Sequence, residues 1–192
     1  FGDEELVPIA DGRAFGFEIL GRWQNLLGFN TIVSYTFVRS EFLDYRSKYR
    51  GAYLPTSWDN RNLLNITVTR IFKGNWYLGF KWRYVGGAPY TPYDEEKSSV
   101  KEAWDAQGGP YLDYSKYNEL RLKAFHQLDI RIDKQFYFKK WSLNFYIDIQ
   151  NIYNFKSEEP DRLVRMSFID PGYDDVYIDE YGVERYELEK IT

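Results

Sequence analysis

The residues best placed to do chemistry are Lys81, Arg83, Asp129, Arg131, Asp133 and Asp148, and each sits among apolar residues at a spacing of two. Lys81 and Arg83 alternate within Trp76-Tyr-Leu-Gly-Phe-Lys-Trp-Arg-Tyr84, and Asp129, Arg131 and Asp133 within Leu128-Asp-Ile-Arg-Ile-Asp-Lys134. On adjacent strands they form a mixed-charge ladder on one sheet face. Such a ladder can pass a polar solute or can pair wall charges with one another. The second use is the commoner, because charge taken out of water has to be compensated. The expected register sets Asp129 opposite Asp148, a like-charge pair that Arg131 or Arg83 must relieve. If it stayed unrelieved, one carboxylate would titrate high, as functional carboxylates often do.

Other candidates lie in loops. Tyr90, Tyr93, Trp104, Tyr111, Tyr114 and Tyr117 crowd the stretch from Gly86 to Phe125. They can stack on a sugar or aromatic ligand, or simply pack loops against each other. Asp170, Asp174, Asp175, Asp179 and Glu180 supply oxygens of the kind calcium takes, but their spacing is not that of an EF-hand loop, and a solvated acidic loop is the better reading. His126 is the single histidine. Alone it builds neither a Ser-His-Asp triad nor a good metal site. Gly86-Gly87 and Gly108-Gly109 lack the strand-to-helix setting of a phosphate loop. No catalytic set, metal site or cofactor is expected.

The elements that position these residues follow from period-two alternation. Trp76, Leu78, Phe80, Trp82 and Tyr84 share one face, and Leu64, Ile66, Val68 and Phe72 match them across Lys73-Gly-Asn75 when Phe72 faces Trp76. A slip of one residue would destroy that match. Two more hairpins follow the same plan. In the first, Arg13 to Trp23 pairs with a strand from Phe29, Trp23 opposite Phe29 and Ile19 opposite Val33. In the second, His126 to Phe136 pairs with Trp141 to Gln150. Residues 42–60 and 86–125 read as long loops, residues 1–12 as a loop-like lead, and 156–192 as an acidic tail with a small hairpin near Asp179-Glu-Tyr-Gly182.

With 192 residues and a net charge of -4, the chain can bury a sizeable core but lacks the basic face that nucleic acid requires. It has no cysteine, hence no disulfide framework or thiolate site. No apolar run reaches the length of a transmembrane helix. Phe1 does not begin a signal peptide, and the sequence reads as an internal piece of something longer.

Connections alternate short and long, and aromatic residues gather at the short ones. With strands of about nine to eleven residues, the expected fold is all-β: an antiparallel transmembrane β-barrel segment of about six strands, with short periplasmic turns and long extracellular loops. Trp23, Phe72, Trp76, Phe80, Trp82, Phe136, Trp141 and Phe145 would face lipid or form the aromatic belt, and the charged ladder would face the lumen. Arg70 and Lys134, charged residues on the apolar face, would snorkel to the interface. Six strands do not close a barrel, so the chain would be part of a larger one. The same alternation with the apolar face turned inward describes a soluble antiparallel β-barrel that binds a ligand. An outer-membrane hydrolase is a third class, testable through His126, Asp129 and Asp148.

Several segments together resemble the last third of TonB-dependent outer-membrane receptors: Gly16-Phe-Glu18, Val33-Ser-Tyr-Thr-Phe-Val-Arg-Ser-Glu41, Trp58-Asp-Asn-Arg-Asn-Leu-Leu-Asn65, Tyr84-Val-Gly-Gly-Ala-Pro-Tyr-Thr-Pro92, Leu128-Asp-Ile-Arg-Ile-Asp-Lys134 and Asp148-Ile-Gln-Asn-Ile-Tyr-Asn154. The resemblance covers roughly Arg13 to Phe155. It implies a place in the cell outer membrane, in a 22-stranded barrel around an N-terminal plug. It further implies active uptake of a bulky nutrient (siderophore, cobalamin or glycan), a TonB partner engaged through the parent protein, and in some members a surface lipoprotein. The sequence shows no plug, no TonB box and no closing aromatic-ended strand, and residues 156–192 read as the last extracellular loop before such a strand.

Overall fold

A computed structural model describes residues 11–44 and 51–191. The expected lead lies outside the described residues through residue 10, as do residues 45–50 of the expected 42–60 loop. In chain order the elements are β1 (Gly12–Leu26), β2 (Phe29–Asp44), β3 (Ala52–Pro55), β4 (Arg61–Phe72), β5 (Trp76–Val85), β6 (Pro89–Tyr90), α1 (Glu95–Ser99), α2 (Lys101–Gln107), β7 (Leu120–Arg121), β8 (Phe125–Tyr137), β9 (Ser142–Ile149), β10 (Arg162–Arg165), α3 (Met166–Ile169), β11 (Val176–Ile178), β12 (Glu184–Tyr186) and β13 (Leu188–Ile191). They divide into two compact units. One holds the long strands, and the other holds residues 89–122 together with 159–191.

The first unit is one antiparallel sheet in the order β1-β2-β4-β5-β8-β9, with β3 added to the far end of β2. All-β architecture and the three hairpins are as the sequence led us to expect. The register of the central hairpin is too: Phe72 faces Trp76 and Val68 faces Phe80. Because every pairing keeps the same parity, apolar rows run unbroken across strands, such as Val68–Phe80–Ile130–Ile149 and Ile66–Trp82–Leu128. Phe17 stacks on Phe37 at 5.7 Å, and Phe136 meets Phe145 edge-on at 6.1 Å.

The first hairpin departs from its expected register by two residues. Trp23 faces Thr31 and Ile19 faces Tyr35, while Leu26 faces Phe29. The turn is Leu27-Gly28, with φ of 53° and 83°, and Asn25 also has positive φ, so the ladder is interrupted between Trp23 and Leu26. The turn falls within the tight connection that the sequence pattern marks over Gln24 to Gly28, but leucine is a poor residue for a left-handed conformation, so the pattern does not single out Leu27 and the register is missed. A shift of two leaves every side chain on its expected face. Strands β1 and β2 are also longer than expected, at 15 and 16 residues, so that β2 continues through Asp44 and takes up β3 where a loop was expected.

What the sheet lacks is a core. The buried apolar residues among those described are Leu163, Val164 and Tyr186, and all three belong to the second unit. On the sheet, Phe145 is 61% exposed, and Trp23, Trp76 and Trp141 are similarly uncovered. Nor do the outer edges of β1 and β9 pair with another strand among the described residues.

The second unit has a small core of its own. β10 pairs with β13, β11 with β12, and β6 with β7. The β11–β12 hairpin spans Asp179–Gly182, as expected of the tail. Asp94 caps α1 by accepting from the Lys97 amide at 2.9 Å. From β12, Arg185 donates to Ser99 Oγ at 2.7 Å and the Tyr186 hydroxyl donates to Asp105 at 2.9 Å, tying the hairpin to the helices. Burial, with the Asp105 contact, raises the Tyr186 hydroxyl above its ordinary range. Beneath them, buried Asp175 accepts from Arg165 Nε and Nη2 at 3.0 and 2.8 Å and from the Ser167 amide at 3.1 Å. The Arg165 guanidinium lies 3.6 Å over the Tyr186 ring.

Those hydrogen bonds, led by Arg165, hold the Asp175 carboxyl well below the usual carboxylate range. A carboxylate depressed on folding stabilises the fold above its unfolded pKa of about 4 and loses that contribution as pH falls through the folded value. Amide protection at β10 and β13 should therefore hold down to about pH 4 and decline below it. Asp175→Asn should speed exchange there about ten- to a hundredfold near neutral pH, from the roughly 1.5–3 kcal/mol of a charged hydrogen bond, and should flatten the acid dependence. Hydrogen exchange read by mass spectrometry checks both.

Candidate functional site

The polar face of the sheet collects the charged ladder. In cross-strand order, Thr67 faces Lys81 and Lys81 faces Asp129; Asn65 faces Arg83 and Arg83 faces Gln127. Gly79 faces Arg131, and Arg131 faces Asp148. This corrects the expected Asp129–Asp148 opposition: the β8–β9 register sets a cation, not a second anion, across from Asp148. The alternation of sign along β8 then does the work that was expected of relief by a neighbour.

Each anion of β8 is held from several directions. Asp129 accepts from Gln127 Nε2 at 2.6 Å, from the Asn151 amide at 3.0 Å and from Arg83 Nη2 at 3.4 Å. Asp133 accepts from Arg131 Nε and Nη2 at 3.0 and 2.8 Å and from Asn144 Nδ2 at 3.1 Å. The Arg131 guanidinium also lies 4.1 Å over the Tyr146 ring. Gly79, having no side chain, leaves an open trough beside Arg131, with the Thr69 methyl 3.8 Å from where a Cβ would stand. The trough, of about 420 Å³, brings together Lys81, Arg83, Asp129, Arg131 and Asp148 with Thr67, Thr69 and Gln150. Asp133 lines a neighbouring hollow with Tyr77 and Gln135. The pattern is mutual charge pairing over most of its extent, and it presents hydrogen-bonding groups of both signs to a polar solute.

The six loop aromatics do not gather into one place. Tyr90 and Tyr93 line a cleft of about 270 Å³ with Pro92, Leu112, Leu120, Asp161 and Lys190. Trp104 packs edge-on to Tyr186 at 6.3 Å and borders a different depression with Gly108, Pro110 and Phe168. Tyr114 and Tyr117 stack on each other at 6.2 Å, and Tyr111 lies 3.9 Å below the Lys97 ammonium. Most of these rings are thus engaged in holding loops, and the Tyr90–Tyr93 cleft offers aromatic surface beside a cation, Lys190, and an anion, Asp161.

The acidic residues of the tail are spread over separate turns. Asp170 accepts from the Gly172 amide and Asp174 from the Val176 amide, while Asp179 accepts from Arg185, Tyr181 and Val183. The Arg185 bond, with those amides, lowers the Asp179 carboxyl. No group of three metal-capable side chains occurs among the described residues. His126 stands on the apolar face at the loop end of β8, its Nδ1 2.7 Å from the Tyr153 hydroxyl and its ring 4.0 Å from that of Phe155. It is not brought to Asp129, which lies on the other face.

A second charged cluster escapes the sequence reading. At the loop end of β1 and β2, buried Glu41 accepts from Arg13 Nε at 2.7 Å and pairs with Arg39. Beside it, fully buried Asp59 accepts from the Ser40 amide at 2.9 Å and meets Arg61 at 3.4 Å. The signal was the facing pair Arg13 and Glu41, visible only with the correct register of the first hairpin.

Register can be checked chemically. Directly facing Cα atoms lie within disulfide reach, whereas a diagonal pair lies about 7–8 Å apart, at or beyond its limit. Arg131→Cys with Asp148→Cys should cross-link under mild oxidant, and Asp129→Cys with Asp148→Cys should not. The reverse result on non-reducing mass analysis would restore the like-charge pairing.

No family model matches the chain, and neither does a curated protein or a solved structure.

Proposed function

We propose that this chain is a stretch of a transmembrane β-barrel in the cell outer membrane, the C-terminal barrel portion of a TonB-dependent receptor that takes up a bulky nutrient. The sheet supplies six neighbouring staves. Its apolar face meets lipid, its charged trough lines the lumen, and the second unit belongs to extracellular loops. The plug, the remaining staves and the TonB contact belong to the parent protein.

One observation carries this reading. A sheet with strands of up to 16 residues sets a mostly apolar face against a mostly polar one, and none of its apolar side chains is fully buried among the described residues. In water such a face would be covered, because each buried large apolar side chain is worth about 1.5–3 kcal/mol. In hydrocarbon it needs no cover. The edges of β1 and β9, unpaired among the described residues, point the same way, since backbone groups in lipid must be satisfied by further strands. Arg70 and Lys134, the charges on the apolar face, lie beside the tight turns with their heads over aromatic rings, as snorkelling residues do. The uptake activity rests on the resemblance of the sequence segments and on the mixed-charge trough.

The test is the state of the native polypeptide. An antibody against residues 159–191 should detect, in the outer-membrane fraction, a band several times larger than 23.0 kDa. Its mobility on a denaturing gel should change when the sample is boiled, as expected of a closed barrel. A soluble 23.0 kDa polypeptide would overturn the reading and favour a sheet whose apolar face is covered in water.

A further inference from the structure

The tight-turn end of the sheet is rich in cations. From the row Arg70–Leu78–Ile132–Ile147 outward, it holds Arg70, Lys73, Lys134, Lys139 and Lys140 against one carboxylate, Asp133, which Arg131 and Asn144 engage on the opposite face. In both chain segments of the second unit, by contrast, acidic residues outnumber basic ones. An overall acidic chain therefore concentrates net positive charge at one end of its sheet.

These cations are free to take an outside partner. Among the described residues none of Arg70, Lys73, Lys134, Lys139 and Lys140 is ion-paired with a carboxylate. Lys73, Lys139 and Lys140 are exposed on the turns themselves. Arg70 lies 4.8 Å from the Phe29 ring and 5.1 Å from that of Phe72, and the Lys134 ammonium lies 5.1 Å from the Trp76 ring and donates to the Gly74 carbonyl. Phe138 and Trp141 stack at 3.8 Å across the Lys139-Lys140 turn. Aromatic rings and lysine stems form an apolar collar, and the ammonium groups stand just beyond it. That layering matches a bilayer surface, with rings at the acyl–headgroup boundary and cations at phosphate depth.

We propose that this end of the sheet is a binding surface for anionic phospholipid headgroups, with Lys73, Lys139 and Lys140 as the phosphate contacts and Arg70 and Lys134 holding the collar. The proposal rests on the membrane-barrel reading and adds what that reading leaves open: the lipid chemistry preferred at the turn end. An anionic headgroup supplies the counter-charge that the protein lacks there, and each lysine near such a surface is worth about fivefold in binding.

The experiment uses the full-length protein in detergent, titrated with phosphatidylglycerol or phosphatidylcholine and read by native mass spectrometry. Phosphatidylglycerol should remain bound at activation energies that strip phosphatidylcholine. Lys73→Gln, Lys139→Gln and Lys140→Gln combined should weaken it about a hundredfold. The matched change of Lys97, Lys101 and Lys116 to Gln in the second unit should leave it unaltered. Raising salt from about 0.1 to about 1 M, which shortens the screening length from about 10 to about 3 Å, should weaken binding to the unmodified protein, so the inference stays testable even if the triple variant does not fold. Equal retention of both lipids, or an unaltered triple variant, overturns it. Loss of phosphatidylglycerol to millimolar inorganic phosphate would make the site one for free phosphate and also overturn it. If neither lipid associates, the membrane reading itself has failed.

Discussion

Everything in the first unit depends on the bare apolar face of its sheet. Apolar rows such as Val68–Phe80–Ile130–Ile149, from β4 to β9, and Val33–Ile66–Trp82–Leu128, from β2 to β8, are continuous and bulky, and none of their side chains is fully buried among the described residues. A face of that kind is stable only in an apolar surrounding. On the proposed reading lipid supplies that surrounding, and the opposite face is a lumen wall on which Arg83 pairs with Asp129 and Arg131 with Asp133. Mutual compensation is what a wall shielded from bulk solvent needs.

The second unit follows a different logic. Its strands have at most four residues, and its stability comes from a few buried contacts: Leu163 and Val164, the Arg165–Asp175 pair and the stacked Tyr186. Charged hydrogen bonds, not extended sheet, fix these loops. A loop body held this way can vary its exposed residues without losing its frame, which suits a ligand-facing surface.

The strand pattern was legible because period-two alternation is decisive when one face is predominantly apolar. Phe72 opposite Trp76 could be read from the residues alone. Leu27 hid the register of the first turn, since leucine gives no turn signal, and the Glu41–Arg13 pairing stayed hidden with it. The Asp129–Asp148 expectation failed because the β8–β9 turn, Phe138 to Trp141, is held by the Phe138 amide donating to the Trp141 carbonyl, a register that no motif announces. The union of residues 89–122 with 159–191 was beyond reach, because short irregular segments joined by side-chain bonds leave no periodic trace.

The direction in which the sheet faces is the claim on which the account stands, and β9 offers the most direct measurement. Nitroxide labels placed singly at positions 143 through 148 in the native full-length protein, reconstituted with lipid, can be probed with oxygen, which favours lipid, and with a water-soluble nickel chelate. The account predicts high oxygen access at Leu143, Phe145 and Ile147 and high nickel access at Asn144, Tyr146 and Asp148, alternating strictly with period two. The opposite alternation, or uniform water access along the strand, would contradict it.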